Sequence, residues 1–127
     1  MKPANDTKII FFSSTLNSAG GRLQRVIDML FTKEQIETYR TIEALQKRLH
    51  QPLVNPYIFV ILASSAEELI EIATLQEALR DRRIILVLPD GNPESIAQGH
   101  SLRPRFLTCV DSDFVEVLAV LGKMAGP

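Results

Sequence analysis

Short apolar runs alternate along the chain with segments whose apolar residues recur every three or four positions. The runs at 8–12, 57–62 and 84–88 are almost wholly apolar, a pattern typical of strands buried on both faces of a sheet. Segment 35–40 alternates polar and apolar residues, which suits a half-buried strand near a sheet edge. Segment 106–110 is a fifth, short strand candidate, so the pattern predicts five strands.

A helical segment follows each predicted strand. The first helix is predicted from about Arg22, because the next apolar residues are spaced i, i+3, i+4 and i+7: Leu23, Val26, Ile27 and Leu30. The third helix carries apolar residues at helical spacing as far as Leu79. Residues suited to N-caps precede the later helices: Thr41, Ser64 or Ser65, Asn92 followed by Pro93, and Asp113. Three of these have a glutamate three positions on, as a capping box requires: Ser64 with Glu67, Ser65 with Glu68, and Asp113 with Glu116.

Five repeats of strand and helix predict a parallel sheet, because right-handed crossovers cover both faces with helices. The fold class is therefore a three-layer α/β/α sandwich with strand order 2-1-3-4-5, the flavodoxin-like arrangement. We predict one domain over 1–127, with a polar tail at 1–7 and a frayed end at 123–127.

Composition narrows the function classes. The chain has 14 Lys and Arg against 15 Asp and Glu, so it lacks the charge expected of a protein that binds nucleic acid on its own. Its single cysteine, Cys109, allows no internal disulfide, which favours a reducing, cytoplasmic location. No apolar run approaches the length of a membrane span, so we expect no membrane association.

Three segments together resemble the receiver domain of two-component response regulators, over nearly the whole chain. The strand at 36–39 and the following Glu43-Ala44-Leu45 resemble the family's second strand and its Glu-Ala-Leu helix. The segment 55–62 resembles the run that leads to the phosphorylated aspartate. The segment 106–110 resembles the aromatic-Leu-Thr-Lys-Pro stretch of the fifth strand.

The residues that perform phosphoryl transfer in that family are replaced here. The acidic pair that holds Mg²⁺ corresponds to Ser13 and Ser14, and the acceptor aspartate to Leu62 or Ala63. The Thr or Ser after the fourth strand corresponds to Leu88 and Pro89, and the lysine after the fifth to Cys109. Serine, alanine and proline cannot replace a carboxylate nucleophile or carboxylate ligands. The resemblance therefore implies a pseudo-receiver that is not an enzyme and has no metal or cofactor.

The function we expect from this resemblance is protein–protein interaction in bacterial signal transduction, by a homodimer or with a docked partner. In the receiver family, the fourth helix, fifth strand and fifth helix carry dimer and output contacts. The corresponding partner face is His100, Leu102, Phe106, Cys109, Asp113 and Val117.

A second hypothesis is a binding domain for a small ligand or anion, such as phosphate, a nucleotide or a flavin. It uses hydroxyl-rich loops after strands 1 and 3, whose candidate pocket residues are Ser13, Ser14, Ser64, Ser65 and Asp90. The alternative is that these residues cap helices and turn the chain, and the Asp-Gly-Asn-Pro context of Asp90 favours a turn. A binder predicts a pocket at the carboxyl ends of the strands, whereas an interaction module predicts that this end is filled and an apolar patch lies elsewhere.

Other candidate groups carry simpler interpretations. A lone cysteine such as Cys109 is usually a packing residue. His50 and His100 lie near helix ends without ligand-like spacing, which favours solvated or capping roles over metal binding. Two arginine clusters, 80–83 and 103–105, precede strands and so fall on the amino-terminal edge of the sheet. They allow a modest anion contact, although solvated loops are the simpler interpretation.

Overall fold

A computed structural model describes residues 6–125, and its five parallel strands have the predicted order β2-β1-β3-β4-β5. The strands are β1 Lys8–Phe12, β2 Ile36–Tyr39, β3 Tyr57–Leu62, β4 Arg83–Leu88 and β5 Phe106–Cys109. The helices are α1 Ala19–Leu30, α2 Ile42–Leu49, α3 Ala66–Ala73, α4 Pro93–His100 and α5 Val115–Met124, with a short 3-10 helix at Lys33–Gln35. The flavodoxin-like α/β architecture is therefore confirmed.

Two apolar cores, one on each face of the sheet, explain why β1, β3 and β4 are apolar at every position after the first. In β1, Ile9 and Phe11 join the core beneath α1 and α5, whereas Ile10 and Phe12 join the core beneath α2 and α3. All four side chains have no exposed surface. Because alternate residues of a strand point to opposite faces, a strand covered on both sides has no position for a polar side chain.

Helix α1 begins at Ala19, three residues before the predicted start. Gly20, expected in a loop, lies in its first turn and packs so closely that a Cβ there would sit 2.0 Å from the carbonyl oxygen of Thr15. Only glycine fits this approach, so the residue that marks a loop in the sequence here permits a helix to start.

The other predicted helix ends are confirmed in part. The Ser65 hydroxyl accepts a hydrogen bond from the Glu68 amide at the start of α3, and Pro93 occupies the first turn of α4. The capping box of Asp113 with Glu116 is wrong: Phe114 is the N-cap of α5, at φ 65°, and Asp113 accepts from the Val115 amide. Asn92 makes no side-chain cap.

Helix α3 ends at Ala73, so its predicted extension to Leu79 is also wrong. Residues 74–81 form consecutive turns, although Leu75 and Leu79 remain buried. At the chain ends, α5 continues through Met124 into the segment expected to fray. Most of the predicted N-terminal tail, residues 1–5, and the last two residues lie outside the described residues.

Candidate functional site

The carboxyl ends of β1 and β3 bring three of the predicted pocket serines together. The hydroxyl oxygens of Ser14 and Ser64 lie 3.1 Å apart, within hydrogen-bond distance. Ser13 is completely buried and donates its hydroxyl to the carbonyl oxygen of Thr15. The parallel pairing of β1 with β3 places these loops side by side, as the strand order requires.

Glu68 closes this serine cluster from the α3 side. Its Oε1 accepts from the backbone amide of Ser64 at 2.9 Å and from the Ser64 hydroxyl at 3.0 Å. Its own amide donates to Ser65, the N-cap of α3. The serine hydroxyls are therefore used in hydrogen bonds within the protein, which favours a capping and turn-forming role over a ligand cradle.

Asp90, the fifth predicted pocket residue, forms a turn. Its half-buried carboxylate accepts from the Asn92 amide at 3.0 Å, the Asx turn expected from the Asp-Gly-Asn-Pro sequence. Within residues 6–125, no hydrogen bond joins Asp90 to the serine cluster. The carboxyl edge of the sheet thus presents a hydroxyl cluster and a separate turn.

The positions that correspond to receiver phosphorylation residues are mostly buried. Ser13 and Ala63 have no exposed surface, and Leu62 and Leu88 are each 1% exposed. In the described part of the chain, no group of three or more His, Cys, Asp or Glu side chains is placed to hold a metal ion. That includes His50 and His100, both of which are exposed.

Cys109, at the position of the receiver lysine, is a half-buried thiol held in place by a weak hydrogen bond. Its Sγ donates to the Asp90 carbonyl oxygen at 3.5 Å. Burial raises the pKa of the Cys109 thiol, and the negative charges of Asp111 and Asp90 raise it further. Because the thiolate is the nucleophile, this environment supports a packing role.

The predicted partner face does not form one exposed surface. His100 and Asp113 are exposed, and Phe106 and Cys109 are half-buried. Leu102 and Val117 are buried in the two opposite cores, so neither side chain is available to a partner. Val117 lies on the buried side of α5 and Leu102 lies in the turn after α4, and their burial corrects their assignment to the face.

A charged cluster that sequence reasoning missed connects β2, α2 and β3. The Arg48 Nε lies 2.6 Å from Oε1 of Glu37, and the Arg48 Nη2 donates to the Tyr57 hydroxyl at 2.7 Å. The hydroxyls of Tyr39 and Tyr57 donate to the two Glu37 oxygens at 2.7 and 2.9 Å. Strand alternation, which puts Glu37 and Tyr39 on one side of β2, is the signal that was available. The partners from α2 and β3 follow only from the packed fold.

The pKa values of this cluster follow from its hydrogen bonds. Burial acts to raise the pKa of Glu37, but hydrogen bonds from Arg48, Tyr39 and Tyr57 outweigh it and lower the pKa to about 2. Burial and the hydrogen bond to Glu37 raise the pKa of Tyr39 to about 12. Across the neutral range the cluster is therefore one carboxylate, one guanidinium and two neutral phenols, which is a structural link between three elements.

Arg22, where the first helix was predicted to begin, is a second residue whose contacts the sequence does not reveal. Its guanidinium donates to the carbonyl oxygens of Val110 at 2.6 Å and Ser112 at 2.5 Å, and lies 4.8 Å from the centre of the Phe114 ring. It thereby attaches the loop between β5 and α5 to α1. This contact fixes the loop that follows Cys109.

No family model, curated protein or solved structure matches the chain. Among the helices described, none is long and apolar enough to cross a membrane.

Proposed function

We propose that this protein is a receiver-like interaction module of bacterial signal transduction that works without aspartyl phosphorylation. The main support is a contrast between the fold and the residues at the ends of its strands. The chain has the 2-1-3-4-5 sheet on which receivers are built, yet the strand ends that hold phosphoryl chemistry in receivers carry serine, leucine, alanine, proline and cysteine. A fold alone does not determine function, so the strand ends carry the argument.

The edge of the sheet near β5 is the surface we assign to the partner. Among the described strands, β5 pairs with β4 alone, and α4 and α5 flank it on opposite faces of the sheet. Ile96 on α4 is 37% exposed and Val115 on α5 is 62% exposed, and they replace the buried Leu102 and Val117 in the proposed face. The exposed His100 and Asp113 add polar groups around them. This combination of exposed apolar and polar side chains suits a protein contact.

Self-association through this face is the form we propose first, with a partner protein as the other form. We also propose a cytoplasmic location, which is supported by the single, free cysteine of the chain. The ligand-binding hypothesis is not advanced for the serine cluster, because Ser13, Ser14 and Ser64 are hydrogen-bonded within the protein.

Substitution of the exposed apolar residues tests the proposed face. The double variant I96E/V115E introduces two buried charges into any contact made there, which should weaken the dimer by about tenfold or more, as uncompensated interfacial charge costs at least 1.4 kcal/mol. Sedimentation equilibrium measures the dissociation constant directly.

Ile70 provides a matched control, since it is a 57% exposed isoleucine on α3, away from β5. The variant I70E should keep the dissociation constant of the unsubstituted protein. A dimer weakened equally by I70E, or unaffected by I96E/V115E, would place the contact elsewhere. A monomer at every concentration would overturn self-association.

A further inference from the structure

A cleft of about 670 Å³ lies at the amino-terminal edge of the sheet, opposite the serine cluster. One wall is formed by residues 76–82, the turns that follow α3, and the other by residues 101–105, the connection from α4 to β5. The cleft has the volume of a small-molecule site. No residue of the proposed partner face lines the cleft, and Leu102, which does line it, is a buried residue outside that face.

Positive charge dominates this cleft. Four arginines line it, Arg80, Arg82, Arg103 and Arg105, against two acids, Glu77 and Asp81, in a chain whose net charge is −1. Glu77 already pairs with Arg80 at 2.8 Å. Within residues 6–125, no carboxylate forms an ion pair with the other three arginines, and all four are exposed.

The positive charge of the cleft also acts on a neighbouring residue. Arg83, the first residue of β4, has its pKa lowered by burial and, next, by the positive charge of Arg105. Its guanidinium is used to hold the carbonyl oxygen of Met124 at the end of α5. The like charges of Arg83 and Arg105 repel each other, and an anion bound beside Arg105 would reduce this repulsion.

Backbone hydrogen bonds hold both walls in place. The amides of Arg82 and Arg103 donate to the carbonyl oxygens of Leu79 and His100, at 3.1 and 3.0 Å, and the Arg105 amide donates to Ile84 at 2.8 Å. Asp81 and Arg103 both have left-handed backbones, with φ of 63° and 53°. The two loops therefore have defined conformations that bring the arginines to one opening, and little further ordering of the backbone is needed to bind a ligand.

We propose that this cleft binds a compact, multiply charged phosphate ligand. Guanidinium groups bind phosphate oxygens through paired, charge-assisted hydrogen bonds, and several arginines around one cleft favour a ligand with several phosphate groups. The lining contains no aromatic side chain on which a nucleobase would stack, so the recognised part is the phosphate chain. Such a ligand lies on the far side of the sheet from the receiver phosphorylation site.

Titration of the full-length protein with inorganic tripolyphosphate tests this inference. Isothermal titration calorimetry should show saturable binding at one site, weaker binding of orthophosphate at equal ionic strength, and loss of affinity as salt is added. Amide chemical shifts in ¹H–¹⁵N spectra should change at residues 80–82, 101–103 and 105. The variant R103Q/R105Q should weaken binding by about tenfold or more, the loss expected for charge-assisted contacts.

The matched control is R25Q/R40Q, which removes the same charge from two exposed arginines outside the cleft. It should bind tripolyphosphate as the unsubstituted protein does. Non-saturable binding, or equal weakening by both double variants, would mean only general attraction to positive charge and would overturn the site. Tighter binding of a single-stranded oligonucleotide, lost in R103Q/R105Q, would overturn the ligand class. The fold of each variant is checked by the dispersion of its amide spectrum.

Discussion

Glu37 shows how one side chain takes its properties from the fold. In the sequence it is an ordinary polar residue of a short strand, but in the structure it accepts hydrogen bonds from two tyrosines and an arginine. The lowered pKa means that the folded state binds a proton at Glu37 less readily than the unfolded state does. Stability from this group is thus fully present above pH 4.5 and is lost as the pH falls from 4.5 towards about 2.

The variant E37Q should therefore reduce the free energy of unfolding at pH 7 by about 2 kcal/mol and flatten its dependence on pH below 4.5. Urea denaturation at a series of pH values measures both effects. E71Q is the control, because Glu71 is exposed and makes no side-chain ion pair within residues 6–125. If the free energy of unfolding of E37Q fell below pH 4.5 as steeply as that of the unsubstituted protein, the cluster would not be the source of the pH dependence.

Gly20 decides where α1 begins. A Cβ at this position would lie 2.0 Å from the backbone carbonyl oxygen of Thr15 and 2.8 Å from the hydroxyl oxygen of the buried Ser13. A backbone carbonyl cannot move aside as a flexible side chain does. The start of α1 and the loop after β1 would have to separate.

We predict that G20A destabilises the protein by about 1–3 kcal/mol, the usual cost of overpacking a close contact. G122A is the matched control in α5, where nothing lies within 4 Å of an added Cβ, and it should be neutral or stabilising by up to about 1 kcal/mol. Thermal and urea unfolding measure both variants. Equal stability of G20A and G122A would contradict the packing described for the α1 start.

Strands could be predicted from the sequence where burial on both faces requires a continuous run of apolar residues. β1, β3 and β4 are covered on both faces, so their runs are apolar and easily recognised. Boundaries depended on local contacts that the sequence does not display. Gly20 is a residue type typical of loops, but it lies in the first turn of α1. Phe114 is a typical core residue, but it is also the left-handed N-cap of α5.

Sites were harder to predict than helices and strands, because a polar side chain can serve several roles and its partners come from distant parts of the chain. Ser64 and Ser65 were expected as either caps or ligand groups, and one hydroxyl is chemically suited to both. The contacts to Glu68 favour the cap. Arg22 and Arg48 lie off the apolar stripes of their helices, and their long side chains reach carbonyl and carboxylate groups from distant parts of the chain. Such contacts require the packed structure.

At the scale of the whole molecule, the two edges of the sheet differ in chemistry. The carboxyl edge, where receivers accept a phosphoryl group, is filled by a hydrogen-bonded serine cluster and the Asp90 turn. The amino edge carries an arginine-lined cleft. The two proposals thus assign protein contact to the side of the sheet near β5 and binding of phosphate compounds to the amino edge.

The most direct measurement is a native mass spectrum of the protein before and after incubation with acetyl phosphate and Mg²⁺. The proposal predicts a dimer in both spectra and no covalently added phosphoryl group, because Leu62 and Ala63 stand where the acceptor aspartate would be. A stable phosphoryl adduct would contradict it, and Asp90 would be the first residue to examine by peptide mapping.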